Sequence, residues 1–238
     1  MLLFCPGGES MGRKRAVLFD LGATLVTGPS SAPAAQVARM LDLPAGEERR
    51  VAEVLLCRNY PGPAEVCCAL AGLVPGGQVR EEEVCRLWVE QESAAVEIPG
   101  ATEAVVRAKE LGYAVGLVSD IWAPYYRAFL HACPEIASRV DFAALSFRVG
   151  KRKPAPQIFL AALEGLGVDS CHAIMVGDTY DRDILPAKKL GLRTIWVLCR
   201  PEREYRAAAA VLMENWPRPD RIVAHIGEVP GALAELTW

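Results

Sequence analysis

The stretch Val17-Leu18-Phe19-Asp20-Leu21-Gly22-Ala23-Thr24-Leu25 constrains the fold of this chain more than any other. An apolar run that stops abruptly at an acid and then turns through Gly22 to a hydroxyl reads as a buried parallel strand. Such a strand delivers its terminal carboxylate to the C-terminal edge of the sheet, and in open α/β sheets that edge is where ligands bind. Asp20 is therefore the first candidate functional residue.

Further apolar runs follow at Tyr113 to Ser119, Phe142 to Ser146, Ala173 to Asp178, Thr194 to Leu198 and Ile222 to Ile226. Between them Ala101, Ala104, Val105 and Ala108, and again Ile158, Phe159, Ala162 and Leu163, recur at the i, i+3, i+4 spacing of half-buried helices. Strand alternating with helix implies right-handed βαβ units and a parallel sheet with helices on both faces, a doubly wound α/β fold.

One interval is too long for that alternation. About a hundred residues separate Asp20 from Ser119, whereas a βαβ unit needs roughly thirty. Within residues 28–96, Val37/Met40/Leu41, Val51/Val54/Leu55 and Val84/Leu87/Trp88 recur at helical spacing. Breaks at Pro44-Ala45-Gly46, Pro61-Gly62-Pro63 and Pro75-Gly76-Gly77 divide the segment into about four short helices. The expectation is a core of residues 14–27 and 97–238, with a small helical-bundle cap over residues 28–96. Gly28-Pro29 and Pro99-Gly100 are its hinges. A cap inserted there covers the edge that carries Asp20.

Composition limits the partners. The 238 residues carry a net charge of −3 with no basic tract, which argues against nucleic acid, and no apolar run in this 52% hydrophobic sequence approaches a membrane span of roughly 20 residues. The eight cysteines form no C-x-x-C pair, and Cys57, Cys67, Cys68 and Cys85 have no nearby histidine. Reduced thiols in a cytoplasmic protein are expected, not zinc or disulfides. The start lacks the charged n-region of a signal peptide, Met11 is an equal candidate for the first residue, and residues 1–13 are expected to be a poorly ordered extension. Oligomeric state stays open, since Trp88 and Trp238 suit core or interface alike.

Three later pieces join Asp20. Val118-Ser119-Asp120 sets a hydroxyl at a strand end. Gly150 to Pro156 supplies Lys153 just before a proline that can begin a helix. Gly177-Asp178-Thr179-Tyr180-Asp181-Arg182-Asp183 concentrates acids in one loop and helix start. Asp20, Asp178 and Asp183 at one sheet edge would resist ionisation unless a cation neutralised them, and hard carboxylate oxygens suit Mg²⁺. With Lys153 and Ser119 they would bind and stabilise a phosphoryl group attacked by Asp20.

With these motifs in this order, the sequence resembles the haloacid dehalogenase-like (HAD) hydrolase superfamily, in its phosphoglycolate-phosphatase-like branch with a helical cap. The likeness covers nearly all of residues 15–230. It implies a Rossmann-like core and an aspartyl-phosphate formed on Asp20, with a small phosphorylated metabolite as substrate. It further implies Ser119 and Lys153 on the phosphoryl group, Thr24 ordering the nucleophile loop, and Mg²⁺ held by Asp20, the Gly22 carbonyl, Asp178 and Asp183. Asp181 and Tyr180 match no fixed position and are left as loop residues.

The chain departs from that pattern at Gly22, where phosphatases of the family usually carry a second aspartate that protonates the leaving group. Positioned acid–base catalysis contributes about 10²–10⁴-fold, so slow hydrolysis, or a leaving group that needs no proton, is expected. Ala23 also replaces the usual glycine. Asp120 is a candidate substitute acid and substrate contact, or else the cap of the following helix. Residues 28–96 contain no lysine for phosphonatase chemistry. A haloacid dehalogenase needs no metal, and Asp178 and Asp183 would set negative charge beside its carboxylate substrate. A non-catalytic protein that binds a phosphorylated ligand is the competing reading. The cap arginines Arg39, Arg49, Arg50 and Arg58 suit either anion contact or a solvated face.

Overall fold

A computed structural model describes residues 14–28, 32–74 and 78–236. The expected extension 1–13, Pro29, the Pro75-Gly76-Gly77 break and Trp238 lie outside the described residues. The chain alternates strands β1 (Ala16–Phe19), β2 (Val26–Thr27), β3 (Val96–Glu97), β4 (Ala114–Ser119), β5 (Phe142–Leu145), β6 (Ala173–Gly177), β7 (Arg193–Val197) and β8 (Arg221–Val223) with helices. Six of these strands form one parallel sheet of order β5-β4-β1-β6-β7-β8.

The central strands β1, β4 and β6 are buried on both faces, and the two-residue period decides which core each side chain enters. Val17 and Phe19 join Val115, Leu117, Ile174 and Val176 on one face, where Ala104, Val105 and Ala108 of a covering helix pack. Ala16 and Leu18 join Val118 and Met175 on the other, against Ile158, Phe159 and Ala162. The doubly wound sheet expected from the sequence is present, with strand ends shifted by a residue or two. The last strand is shorter than the Ile222 to Ile226 run, because Ile226–Glu228 turns into a short helix.

This order positions the site. From β1 the chain builds outward through β4 and β5, then returns to the other side of β1 to lay down β6, β7 and β8. The direction reverses between β1 and β6, and such a switch point opens a crevice beyond the strand ends. Phe19 pairs with Leu117 on one side and Val176 on the other. Asp20, Ser119 and Asp178 therefore leave the sheet within two rows of one another.

Helices α1 (Pro33–Met40), α2 (Glu48–Leu56), α3 (Pro63–Ala71) and α4 (Glu81–Glu92) occupy the long interval. They share a separate apolar cluster containing Val37, Val51, Leu55, Val66, Leu70 and Val84. Trp88 belongs to this cluster, and so does Trp122, which precedes α6 (Ala123–Ala132) on the sheet side. The two indoles meet edge to face, with ring centroids 5.3 Å apart. The short antiparallel ladder of β2 with β3 ties the two ends of the helical segment together. Gly100 then starts α5 (Ala101–Glu110) at φ +90, where a Cβ would lie 2.8 Å from the Gly227 Cα. Among the described residues, no helix is long and apolar enough to cross a membrane.

Asp220 anchors the far end of the sheet by accepting the Thr194 N–H at 2.9 Å, the Thr194 hydroxyl at 2.9 Å and the Lys188 ammonium at 3.1 Å. Burial works to raise its pKa, but the Lys188 and Thr194 hydrogen bonds outweigh it and hold the carboxyl below its ordinary 3.8. A group depressed on folding stabilises above its unfolded pKa and loses that contribution as pH falls through the folded value. Urea unfolding of the parent and Asp220→Asn is accordingly expected to show the parent's advantage at pH 6 shrinking toward pH 3, and an advantage constant with pH would contradict this account.

Candidate active site

The switch-point crevice is a cavity of about 690 Å³ lined by Asp20, Gly22, Ser119, Asp120, Lys153, Asp178 and Asp183 among others. Most residues singled out in the sequence thus come together. Thr24 does not: its side chain is fully buried away from the cavity, and its hydroxyl has no hydrogen-bond partner.

Each carboxylate arrives by a distinct local device. Asp20 is fixed against β6 by donating its N–H to the Val176 carbonyl at 2.9 Å. Asp178 follows β6, and its carbonyl accepts the Trp196 indole N–H at 2.9 Å. Asp183 lies on a single π-helical turn, Tyr180–Ile184, and accepts the Thr179 N–H at 3.0 Å. Such turns are uncommon and cluster at functional sites. Gly177 makes the turn possible, because a Cβ there would sit 2.5 Å from both Cβ and Cγ of Asp183. Tyr180, left as a loop residue in the sequence, is a fully buried core residue instead. It packs on Trp196 and Trp216 and donates its hydroxyl to the Pro217 carbonyl at 2.7 Å.

Lys153 joins these acids. Its ammonium donates to Asp20 Oδ1 at 2.7 Å and to Asp183 Oδ1 at 2.6 Å, bridging positions 133 and 30 residues away. The following helix begins at Pro156 and not at Pro154. Asp120 does not cap α6, whose first residues have no side-chain cap. It accepts the Lys153 backbone N–H at 2.8 Å, while its other oxygen faces Arg182 at 3.4 Å and Arg152 at 3.8 Å. The acid after the strand therefore brackets the lysine loop.

Electrostatics follow from crowding. Burial pushes the Asp183 carboxyl up to about 7, with Lys153 opposing the rise and Asp20 and Asp178 adding to it. Burial alone would lower the Lys153 pKa, but Asp183, Asp20 and Asp120 outweigh it and keep the ammonium charged. Asp178 is raised by burial and by Asp20, against the pull of its ion pair with Arg200. Burial likewise lifts Asp120, against Lys153, Arg182 and Arg152. Oxygens of Asp20, Asp178 and Asp183 lie within 4.8 Å of one another. Three acids that resist sharing negative charge, offering only hard oxygen donors, fit a divalent cation of the Mg²⁺ type.

Several cavity residues were not read from the sequence. Arg200 pairs with Asp178, and Tyr125 donates its hydroxyl to the Thr27 carbonyl. The signal for Arg200 was present: it is the first charged residue after the β7 run, at the same edge as Asp20. None of the arginines Arg39, Arg49, Arg50 and Arg58 of the segment 28–96 lines this cavity. Arg50 pairs with Glu47 at 2.8 Å, and Arg39 bonds the Ala35 carbonyl at 3.3 Å. Ala23 stands at φ 61, so the left-handed turn is kept without the glycine that favours it.

Comparison with known proteins gives a concordant picture. Residues 79–197, half of the chain, match the family described as haloacid dehalogenase-like hydrolase. A glyceraldehyde 3-phosphate phosphatase of Pyrococcus abyssi is 36% identical over 105 residues, 42% of each chain, so this chain spans about two fifths of that relative's length. A probable phosphatase IndB of Dickeya dadantii is 29% identical over 225 residues, 92% of this chain and 93% of the relative. A HAD phosphatase from Thermococcus onnurineus superposes with a TM-score of 0.59 at 22% identity, over 92% of this chain and 97% of that one, a likeness of fold.

The tight seat of Asp183 on Gly177 is testable. Overpacking of this kind typically costs about 1–3 kcal/mol, and Gly177→Ala is expected to lower the urea midpoint correspondingly with an unchanged m-value. An unaltered midpoint would show that the π-turn yields freely.

Proposed function

Because the chain belongs to the haloacid dehalogenase-like hydrolases, we propose that it hydrolyses phosphate esters of small metabolites, with Asp20 as the nucleophile. The observation that carries this reading is the convergence of Asp20, Lys153 and Asp183 within hydrogen-bond distance at the sheet's switch point. A structural ion pair would need one acid for one lysine. Here one ammonium meets two buried carboxylates, with a third close by.

In this reading residues 28–96 form the cap that sets substrate choice, and residues 14–27 with 97–238 form the catalytic core. The phosphoryl group sits over Asp20. The Ser119 hydroxyl and the Lys153 ammonium hold its oxygens and stabilise the charge that develops during transfer. Asp20 attacks phosphorus, the leaving oxygen departs, and water releases phosphate from the aspartyl-phosphate. Asp20, Asp178, Asp183 and the Gly22 carbonyl would hold Mg²⁺, which when bound neutralises the crowded acids and draws charge from the phosphoryl oxygens.

Gly22 leaves the departing oxygen without its usual acid. Asp120 is engaged by Lys153, Arg182 and Arg152, and we assign it the bracing of the lysine loop, not proton transfer. The enzyme is therefore read as slow on alkyl phosphates and suited to acyl or aryl phosphates, whose leaving groups need no proton. A Cβ built on Gly22 meets nothing within 4 Å, so the position has room for the missing carboxylate.

Phosphate release from p-nitrophenyl phosphate with Mg²⁺ is expected for the parent and is expected to vanish in Asp20→Asn. Mg²⁺-dependent binding of phosphorylated ligands without any turnover, across aryl and acyl phosphates, would replace this reading with that of a non-catalytic binding protein. Gly22→Asp is expected to raise kcat on alkyl phosphates by about tenfold or more. An unchanged kcat would mean that another group already supplies the proton.

A further inference from the structure

The turn that follows Asp20 is closed on itself. The Leu21 carbonyl accepts the N–H groups of Thr24, Leu25 and Val26 at 3.2, 2.9 and 3.0 Å, and Ala23 donates its N–H to the Val26 carbonyl at 2.7 Å. A turn bonded in this way moves as one piece, and it carries Gly22 and Ala23 to the cavity wall. Its entry is fixed, because the Asp20 N–H is held by the Val176 carbonyl of β6. Its exit is β2, which pairs with β3 in a two-stranded ladder of their own, outside the six-stranded sheet. What holds that exit therefore decides how the turn stands over the cavity.

On the β3 side, Glu97 accepts the Thr102 N–H at 3.2 Å and the Thr102 hydroxyl at 2.6 Å, which ties the ladder to α5. The turn itself receives the Cys199 thiol, a weak donor, on the Ala23 carbonyl at 3.3 Å. On β2 the tie is Tyr125 of α6, the helix that follows β4, whose hydroxyl donates to the Thr27 carbonyl. Tyr125 is 9% exposed, and it lines the cavity together with Asp20, Thr27 and Gly28. Burial, and after it the charge of Asp20, holds the phenol well above its ordinary pKa, so the group stays an O–H donor. Gly28 gives it room. A Cβ there would lie 3.1 Å from the hydroxyl oxygen and 3.4 Å from the ring carbon that bears it.

We infer that Tyr125 is a positioning residue for the reaction, acting through the Thr27 carbonyl to fix the turn after Asp20 over the cavity, and that Gly28 supplies the space this contact needs. This rests on the phosphate-ester reading above and adds to it a residue that works through the backbone of the nucleophile turn. A small misplacement of reacting groups lowers turnover steeply. The loss should therefore appear in kcat and leave KM nearly unchanged.

The test compares the parent, Tyr125→Phe, Gly28→Ala and the double variant in p-nitrophenyl phosphate hydrolysis with Mg²⁺ and in amide hydrogen exchange, each first shown to be folded by its urea transition. Tyr125→Phe keeps the ring and is expected to lower kcat about tenfold with KM within about twofold. Gly28→Ala is expected to do the same by crowding the hydroxyl off Thr27. With no hydroxyl left to crowd, the double variant is expected to fall no further than either single variant. A kcat within about twofold of the parent in Tyr125→Phe overturns the inference and leaves the phosphatase reading standing. Losses that multiply in the double variant overturn the route through Thr27. If the parent hydrolyses no ester, the phosphatase reading fails, and exchange at the Leu25 and Val26 amides decides whether Tyr125 fixes the turn. Exchange about tenfold faster in Tyr125→Phe, with Val115 and Leu117 of β4 unchanged, sustains it. Equal exchange overturns it.

Discussion

The buried ammonium of Lys153, hydrogen-bonded at once to Asp20 and Asp183, is the interaction on which the rest of the site depends. Two carboxylates at that depth would repel each other and lose more hydration than an apolar core could return. Removing one partner from a buried charged set typically costs about 3–5 kcal/mol, because the charge left behind has no compensation. The lysine is in turn placed through its backbone, which Asp120 grips at 2.8 Å. The residue next to the β4 terminus thus decides where the charge from the loop before Pro156 will sit.

The sheet explains why such distant residues meet. A parallel strand ends with its last side chains at one edge, and the reversal between β1 and β6 leaves that edge uncovered by any crossover connection. The three acids then differ in how they are restrained. Asp20 is restrained by the ladder, Asp178 by the Trp196 indole and Arg200, and Asp183 by a π-turn that only a glycine at 177 accommodates. Preorganisation of this kind lets a site stabilise developing charge without rearranging at the moment of reaction.

Much of this was legible in the sequence because it follows from periodicity and order. The two-sided burial of Val17, Leu18 and Phe19, the strand-end acids and the four-helix interval are all one-dimensional patterns. What escaped depends on three-dimensional packing. Tyr180 lies between two charged stretches yet fills the space between Trp196 and Trp216, which no local pattern reveals. Asp120 reads as a helix cap because caps follow strand ends so often, and its real partners lie more than thirty residues away. Thr24 sits in the right motif, but its hydroxyl is sealed beneath the loop.

Trp122 is three positions after Ser119 in the chain, yet its indole is seated among the helices of the long insertion, against Trp88. A buried indole removes about 150–250 Å² from water, and at roughly 25 cal/mol per Å² its withdrawal would cost about 4–6 kcal/mol. The helical segment is thus pinned close to the β4 end that carries Ser119. Separating the helices from the sheet side would expose this indole and break the 2.8 Å ion pair between Arg127 of α6 and Glu92 of α4 together, so the two contacts act as one joint.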